Sequence, residues 1–394
     1  MQLWIAFGPN RSPCQKGENM RFLYCAIGAV SLLGGIGDRV CAQQASPLAL
    51  VPMTVDGAFL GDGGAATDIS GMACMPASNG QRTCLVINDE NKNAQFVTIR
   101  NDRMTVGQPI ALIGNAPNPK TSGTPPKPGC EKADDFDNLD GEGVAYSEPH
   151  FYVVGSHGCS RKKGKFRLSS FILARVRVDR QGKPAGSDGV ALGSENFAAA
   201  VETTYRVSDW LKRSGAAAAF FGKDLESANG LNIEGVAVLG KTIWFGLRGP
   251  VIEKGPALKK DTAFLVGGDA ADLFKAGKAP SKAAPKIIPI ALEGRGIRDI
   301  AALPDKRLLV VAGAAHGDEV PFKLFVVDPA KANGDVKSIG LLAEVKQPVD
   351  GKSTLGKAEG VTVLDVTADR AQIVILFDSL LNGAPHRGEV AIPK

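Results

Sequence analysis

Five stretches of this chain read alike, and their likeness constrains the fold more than any other feature. They are TDISGMACMPASNGQRTCLVIND from Thr67, DGEGVAYSEPHFYVVGSHG from Asp140, NIEGVAVLGKTIWFGLRG from Asn232, GIRDIAALPDKRLLVVAGAAHG from Gly296 and KAEGVTVLDVTADRAQIVILFDS from Lys357. Each is a short apolar strand, a turn and a second apolar strand rich in β-branched residues. Their anchor positions are Gly71, Gly143, Gly235, Ile300 and Gly360. A strand pattern recurring at so long a period belongs to a solenoid or a propeller.

Two further strand-like runs follow each repeat: AQFVTIR and PIALIG after the first, FILARVRVD and VETTYRVSDW after the second, DTAFLVGG and KIIPIAL after the third, FKLFVVD and SIGLLAEV after the fourth. After the fifth only GEVAIPK remains, so that unit is one strand short. LALVPMTV, Leu48–Val55, is a spare strand at the other end of the chain and can complete it. The expected fold is therefore an all-β, five-bladed β-propeller of four-stranded blades, its ring closed by residues 48–55 in the last blade. A pair of β-sandwiches would leave the open fifth unit and the spare strand unexplained. SDWLKRSGAAAAFFGKDLESA, residues 208–228, reads as a helical insertion with Asp209 as a cap, which argues against a sixth blade there.

In a propeller the first strand of each repeat is innermost, so glycine at its start lets the blades converge. The acids beside those glycines then meet near one axis: Glu142, Glu234, Asp299 and Glu359, with Asp68 the nearest in the first repeat. Carboxylates so gathered raise one another's pKa unless neutralised. Three neutralisers fit: a metal such as calcium held by Glu142, Glu234, Asp299 and Glu359; an arginine among Arg248, Arg295 and Arg298; or backbone N–H groups of the next blade, a structural latch.

The loops after each second strand emerge on the same face. They carry His157, Arg248, His316 with Asp318 and Glu319, and Asp378 with His386, and the long loop from Asn115 to Asn138 enters from that side. Loops on a rigid scaffold are where sites generally lie.

The chain begins with what reads as a leader. Arg21 precedes an apolar run from Phe22 to Ile36, and VCA supplies a small-residue cleavage site after Ala42, so residues 1–42 are expected to be removed on export. Four of the seven cysteines remain: Cys74, Cys84, Cys130 and Cys159. An even count in an exported chain implies disulfides. Folding a hairpin about Asn79-Gly80 sets Cys74 opposite Cys84, which leaves Cys130 for Cys159 and pins the long loop over the mouth. No CxxC spacing supports zinc. The formal net charge of +5 is mild, and no basic tract interleaves with aromatics, so nucleic acid is not an expected partner. The densest basic run, Arg161–Lys165, reads as a solvated loop. No apolar run is long enough to span a bilayer comfortably. There is no GxSxG elbow, HExxH or P-loop.

LDGEGVAY, YVVGSHG, NIEGVAVLG, IWFGLRGPV, RDIAAL and AEGVTV together resemble a bacterial family of exported proteins, domain of unknown function 3616. EGVAVLGKTIWFGLRGPV is the most specific stretch. That family brings no established activity. The Glu-Gly start of the inner strand is also similar to the propeller family called esterase-like activity of phytase. In the fourth repeat Asp299-Ile300 replaces Glu-Gly. The expectation for function is a periplasmic or secreted monomer binding a small polar or anionic ligand at the channel mouth. The alternatives are a hydrolase of phosphate or carboxylic esters on that face and a protein-interaction platform.

Overall fold

Every repeat opens a four-stranded antiparallel sheet, as alternating β-branched and aliphatic residues buried on both faces require. The computed structural model describes residues 46–133, 135–160, 164–187, 199–254, 260–317, 320–331 and 339–393. The segment expected to be a leader, residues 1–42, and Arg161–Lys163, Asp318, Glu319 and Lys394 lie outside the described residues. Blade 1 runs Ile69–Cys74, Arg82–Asn88, Asn93–Arg100 and Arg103–Ala111. Blade 2 runs Gly141–Ser147, His150–Gly155, Leu173–Arg177 and Val201–Thr204. Blade 3 runs Asn232–Leu239, Thr242–Gly249, Ala263–Asp269 and Lys286–Ile290. Blade 4 runs Gly296–Ala302, Leu308–Gly313, Phe322–Val327 and Ile339–Val345. Blade 5 runs Lys357–Thr367, Arg370–Asp378 and His386–Ala391, and Leu50–Pro52 is its outer strand.

The inner strands neighbour one another in cyclic order, the fifth lying against the first, so the sheets form a five-bladed β-propeller. Five apolar clusters hold it, one in each seam between blades. In the seam of blades 1 and 2, Leu85, Ile87 and Phe96 pack on Val144, Phe151 and Val153. In the closing seam, Ile69, Met72 and Val86 pack on Val374 and Leu376. Burying such side chains contributes on the order of 1.5–3 kcal/mol each, so sheets that could not stand alone stabilise one another.

The closing segment differs from the single strand expected over Leu48–Val55. Leu50–Pro52 pairs antiparallel with His386–Gly388 in blade 5. Thr54–Asp56 instead adds a fifth, parallel strand to the edge of blade 1, beside Arg103–Thr105. The crossing is at Met53, whose N–H donates to Pro385 O (2.9 Å), while the Thr54 N–H donates to Asp102 O (2.9 Å). A straight strand cannot follow two blades that diverge outward, so the chain changes partner. Blade 1's outer strand also begins at Arg103, earlier than PIALIG suggested.

The expected helical insertion is three short pieces: Val207–Leu211, a 3-10 turn Gly215–Phe220, and Leu225–Ala228. Asp209 is not its cap. It sits in the first turn and accepts a hydrogen bond from Ser281 N (2.7 Å), whereas Asp224 caps the last piece through Ser227 N (2.8 Å). Both disulfides form, Cys74–Cys84 and Cys130–Cys159. Cys74 and Cys84 face each other across the hairpin, whose Asn79 and Gly80 have φ of 52° and 73°. Such paired positive φ values define the type I′ turn that Asn-Gly favours. No helix among the described residues is long and apolar enough to cross a membrane.

Candidate functional site

Each inner strand skips one residue of register near its start. The skipped residues lie between Ile69 and Gly71, Gly141 and Gly143, Ile233 and Gly235, Ile297 and Asp299, and Ala358 and Gly360. They are Ser70, Glu142, Glu234, Arg298 and Glu359. A β-bulge leaves its extra residue unpaired and re-aims the side chain; here it delivers one side chain from each blade to the axis. The glycine that follows is needed where backbones converge. A Cβ on Gly143 would lie 2.9 Å from Val236 N, and one on Gly235 would lie 2.7 Å from Ile300 N.

Blade 4 corrects the sequence alignment by one residue. Arg298, not Asp299, holds the position of the glutamates, and Asp299 holds the position of the glycines. Arg298 is 4% exposed. It pairs with Glu359, lies 3.4 Å from Glu234 Oε2, and donates to Ala314 O (3.4 Å). Arg248, also buried, donates to Glu234 Oε1 (3.0 Å) and Ala315 O (3.0 Å). Burial lowers the Arg298 pKa to about 10, against the pull of Glu234, so it stays charged at neutral pH. Asp299 is instead a latch. Its Oδ1 accepts the Ile300 N–H (2.7 Å) and its Oδ2 accepts the Val361 N–H of blade 5 (2.7 Å). Burial raises its pKa well above the usual carboxylate range despite those donors.

The four acids offered as one of three readings, a metal site, do not converge on one point among the described residues. Asp299 is spent on backbone, and Glu234 and Glu359 on Arg298. Among the described residues no three His, Cys, Asp or Glu side chains come close enough to hold a metal ion.

Glu142 remains. It is 9% exposed and has no hydrogen-bond or ion-pair partner among the described residues. Burial, reinforced by Glu234, Asp140 and Asp89, pushes its pKa well above the usual range. It lines a cavity of about 750 Å³ at this mouth, with Glu234 and Arg248 from blade 3 and Asp68, Asp89 and Glu90 from blade 1. Asp140, Ser156 and Asn232 line it from the strand ends of blades 2 and 3, and Asp135, Asn138 and Arg167 from the loops above. Burial raises Asp89 to about 8, helped by Asp140 and Asp68, and raises Asp68 to about 6. The long loop is fixed over the mouth by Cys130–Cys159 and by Glu131–Lys132 pairing with Lys165–Phe166.

Thus the cavity gathers Asp68, Glu142, Glu234 and Arg248 of the expected residues, while Glu359, Arg298 and Asp299 lie behind it in the ion-pair network and latch. Asp378 stands near enough to raise Asp68 and Asp89, but is held by Lys357 Nζ (2.9 Å) and Ser379 Oγ (3.1 Å). His157 is not a rim residue. It is fully buried against Phe171, its Nδ1 is 2.8 Å from Gly155 O, and burial lowers its pKa to about 4. His316 is half-buried with Nδ1 lacking a hydrogen-bond partner, and His386 bonds Ala384 O through Nδ1 (2.7 Å); neither lines the cavity. Arg295 turns to Glu293 and to Pro321 O (2.8 Å). The sequence reading did not single out Asp89, Glu90, Asp135 or Asp140, although it set the loops Asn88–Asn93 and Asn115–Asn138 on this face. Asp89 closes the first repeat and Asp140 opens the second, so acids at strand ends were the available signal. The opposite mouth is largely apolar, lined among others by Met75, Leu239, Leu303, Leu364 and Val366.

The molecule is thus a five-bladed β-propeller with a carboxylate-rich cavity at one mouth. The chain belongs to the family described as protein of unknown function (DUF3616), which matches residues 168–390. No match to a curated protein was found. Among solved structures, it is similar to hydrazine synthase of Kuenenia stuttgartiensis (TM-score 0.32, 11% identity, 82% of this chain and 65% of that one). It is also similar to the calcium-binding protein regucalcin from Agrobacterium tumefaciens str. C58 (0.35, 11%, 89% and 97%) and to a GH43 β-1,3-galactosidase (0.40, 9%, 87% and 60%). The chain spans less than two thirds of the hydrazine synthase chain and of the galactosidase chain. At these scores the likenesses say nothing of its chemistry.

Proposed function

We propose that this protein is an exported, monomeric propeller that binds a small polar ligand in the cavity at the channel mouth. The observation that carries this reading is Glu142: a buried carboxylate without a partner, facing a cavity of about 750 Å³, within the roughly 300–1,000 Å³ usual for ligand sites. Leaving such a group unpaired costs on the order of several kcal/mol unless it stays protonated or meets a ligand. The two disulfides support export, since such bonds persist in oxidising compartments.

The test is thermal denaturation of the full chain against a panel of neutral sugars, inorganic phosphate and simple amines. At least one class should raise the melting temperature of the wild type and fail to do so for Ser160→Trp, which crowds the exposed rim. No shift with any class would end the reading.

A hydrolytic role has one observation in its favour. Asp89, whose pKa burial raises to about 8 beside Asp140, is a carboxyl group of the kind general acid–base catalysis uses. Turnover of nitrophenyl phosphate or acetate that vanishes in Asp89→Asn would support it; equal rates in both proteins would dismiss it. An interaction platform has in its favour the exposed large hydrophobics Val51, Leu60, Val349, Leu355 and Leu381, of which Val349 and Leu355 pair side by side.

A further inference from the structure

Resting on the reading of the cavity as a binding site, we infer that its ligand is a small organic polycation, an amine carrying two or more ammonium groups, rather than an anion or a metal ion.

The charge balance is the first ground. Each cation of the lining is already matched: Lys165 by Glu131 (3.0 Å), Arg167 by Asp135 (2.7 Å) and Arg248 by Glu234 (3.0 Å). Among the described residues Asp68, Asp89 and Glu142 form no ion pair, and Arg298 and Arg248 act on Glu142 only at longer range. Asp68 accepts from the Thr67 hydroxyl (2.8 Å) and shares a hydrogen bond with the Glu90 carboxyl group. A bound cation favours the ionised form of these buried acids, whereas an anionic ligand would oppose it.

Unmet acceptors are the second ground. The Glu142 carboxylate is nine-tenths buried, with 9% exposed, and is aimed into the cavity. The Asn232 Oδ1 is buried with no hydrogen-bond partner, and Asn232 also lines the cavity. Both are acceptors waiting for donors. An ammonium group brings three donors and a charge, and charge-assisted bonds to carboxylate are about twice as strong as neutral ones.

Spacing decides against a metal. Calcium needs about six to eight oxygens within roughly 2.3–2.6 Å of one point, whereas no three candidate ligands among the described residues converge. The carboxyl groups are spread over the walls of a cavity of about 750 Å³, so the cations that would pair with them must be spread too. A linear di- or triamine has that form.

Isothermal titration of the full chain with spermidine, putrescine, calcium chloride, inorganic phosphate and glucose tests the inference. Spermidine should bind more tightly than putrescine, and its affinity should fall at least tenfold between 50 and 300 mM sodium chloride. Glu142→Gln and Asp89→Asn, both near-isosteric and unable to ionise against a cation, should each weaken spermidine about tenfold or more. If phosphate or glucose binds and the amines do not, the polycation is wrong while the cavity remains a ligand site. If calcium binds and displaces spermidine, the occupant is a metal. Spermidine binding that survives both substitutions would place it elsewhere on the surface and overturn the inference. If nothing binds, the cavity reading falls with it.

Discussion

Arg298 and Asp299 show how one residue of register changes a role. In four blades the bulged position carries Ser70, Glu142, Glu234 or Glu359; in the fourth it carries Arg298, which brings the counter-charge. Removing one partner of a buried ion network strands the others, at about 3–5 kcal/mol. Arg298→Met should therefore lower stability to denaturant by that amount, and adding Glu234→Gln with Glu359→Gln should recover much of it. Chemical denaturation of the variants checks this; a silent Arg298→Met would show that the network holds nothing. The acids also set a pH dependence. The folded pKa values of Asp89 (about 8) and Asp68 (about 6) lie above their ordinary value. Between about pH 4 and those values the folded state binds more protons than the unfolded one, so stability falls as pH rises. The melting temperature should drop from pH 5 to pH 8, and less steeply in Asp89→Asn. The acids could be read in the sequence because Glu-Gly recurs. The exchange in blade 4 could not, because a bulge leaves no mark in composition and Asp299-Ile300 mimics Glu-Gly in pattern.

At the scale of elements, the two disulfides do different work. Cys74–Cys84 staples a hairpin that the Asn79-Gly80 turn already favours. Cys130–Cys159 fastens the long loop that carries Asp135 and Asn138 over the cavity. Loop-closure entropy makes each worth roughly 3 kcal/mol. Paired Cys→Ser replacement should therefore lower the melting temperature in both cases, but only the Cys130/Cys159 pair should also weaken whatever ligand the panel identifies. Equal loss of ligand from both would mean the loop is held by its other contacts. The hairpin was legible because turn chemistry is local. The parallel pairing of Glu131–Lys132 with Lys165–Phe166 was not, since two-residue strands carry no period.

For the whole molecule, ring closure was legible because five repeats lacked one strand and the chain offered one. The division of that strand at Met53 was not, because it depends on how far neighbouring blades diverge at their outer edges. The segment now belongs to two blades, Leu50–Pro52 to the fifth and Thr54–Asp56 to the first. Truncation through Pro52 should leave His386–Ala391 as a bare edge, broaden the thermal transition and promote aggregation, as light scattering on heating would show; an unchanged, sharp transition would mean the seam clusters alone close the ring.

That pairing also sets an order of events during synthesis. Leu50–Pro52 leaves the ribosome long before its partner, His386–Gly388. The fifth blade cannot assemble until both have been made, and contacts so remote in sequence form slowly. A ring that waits for so distant a partner stays open through most of its own synthesis.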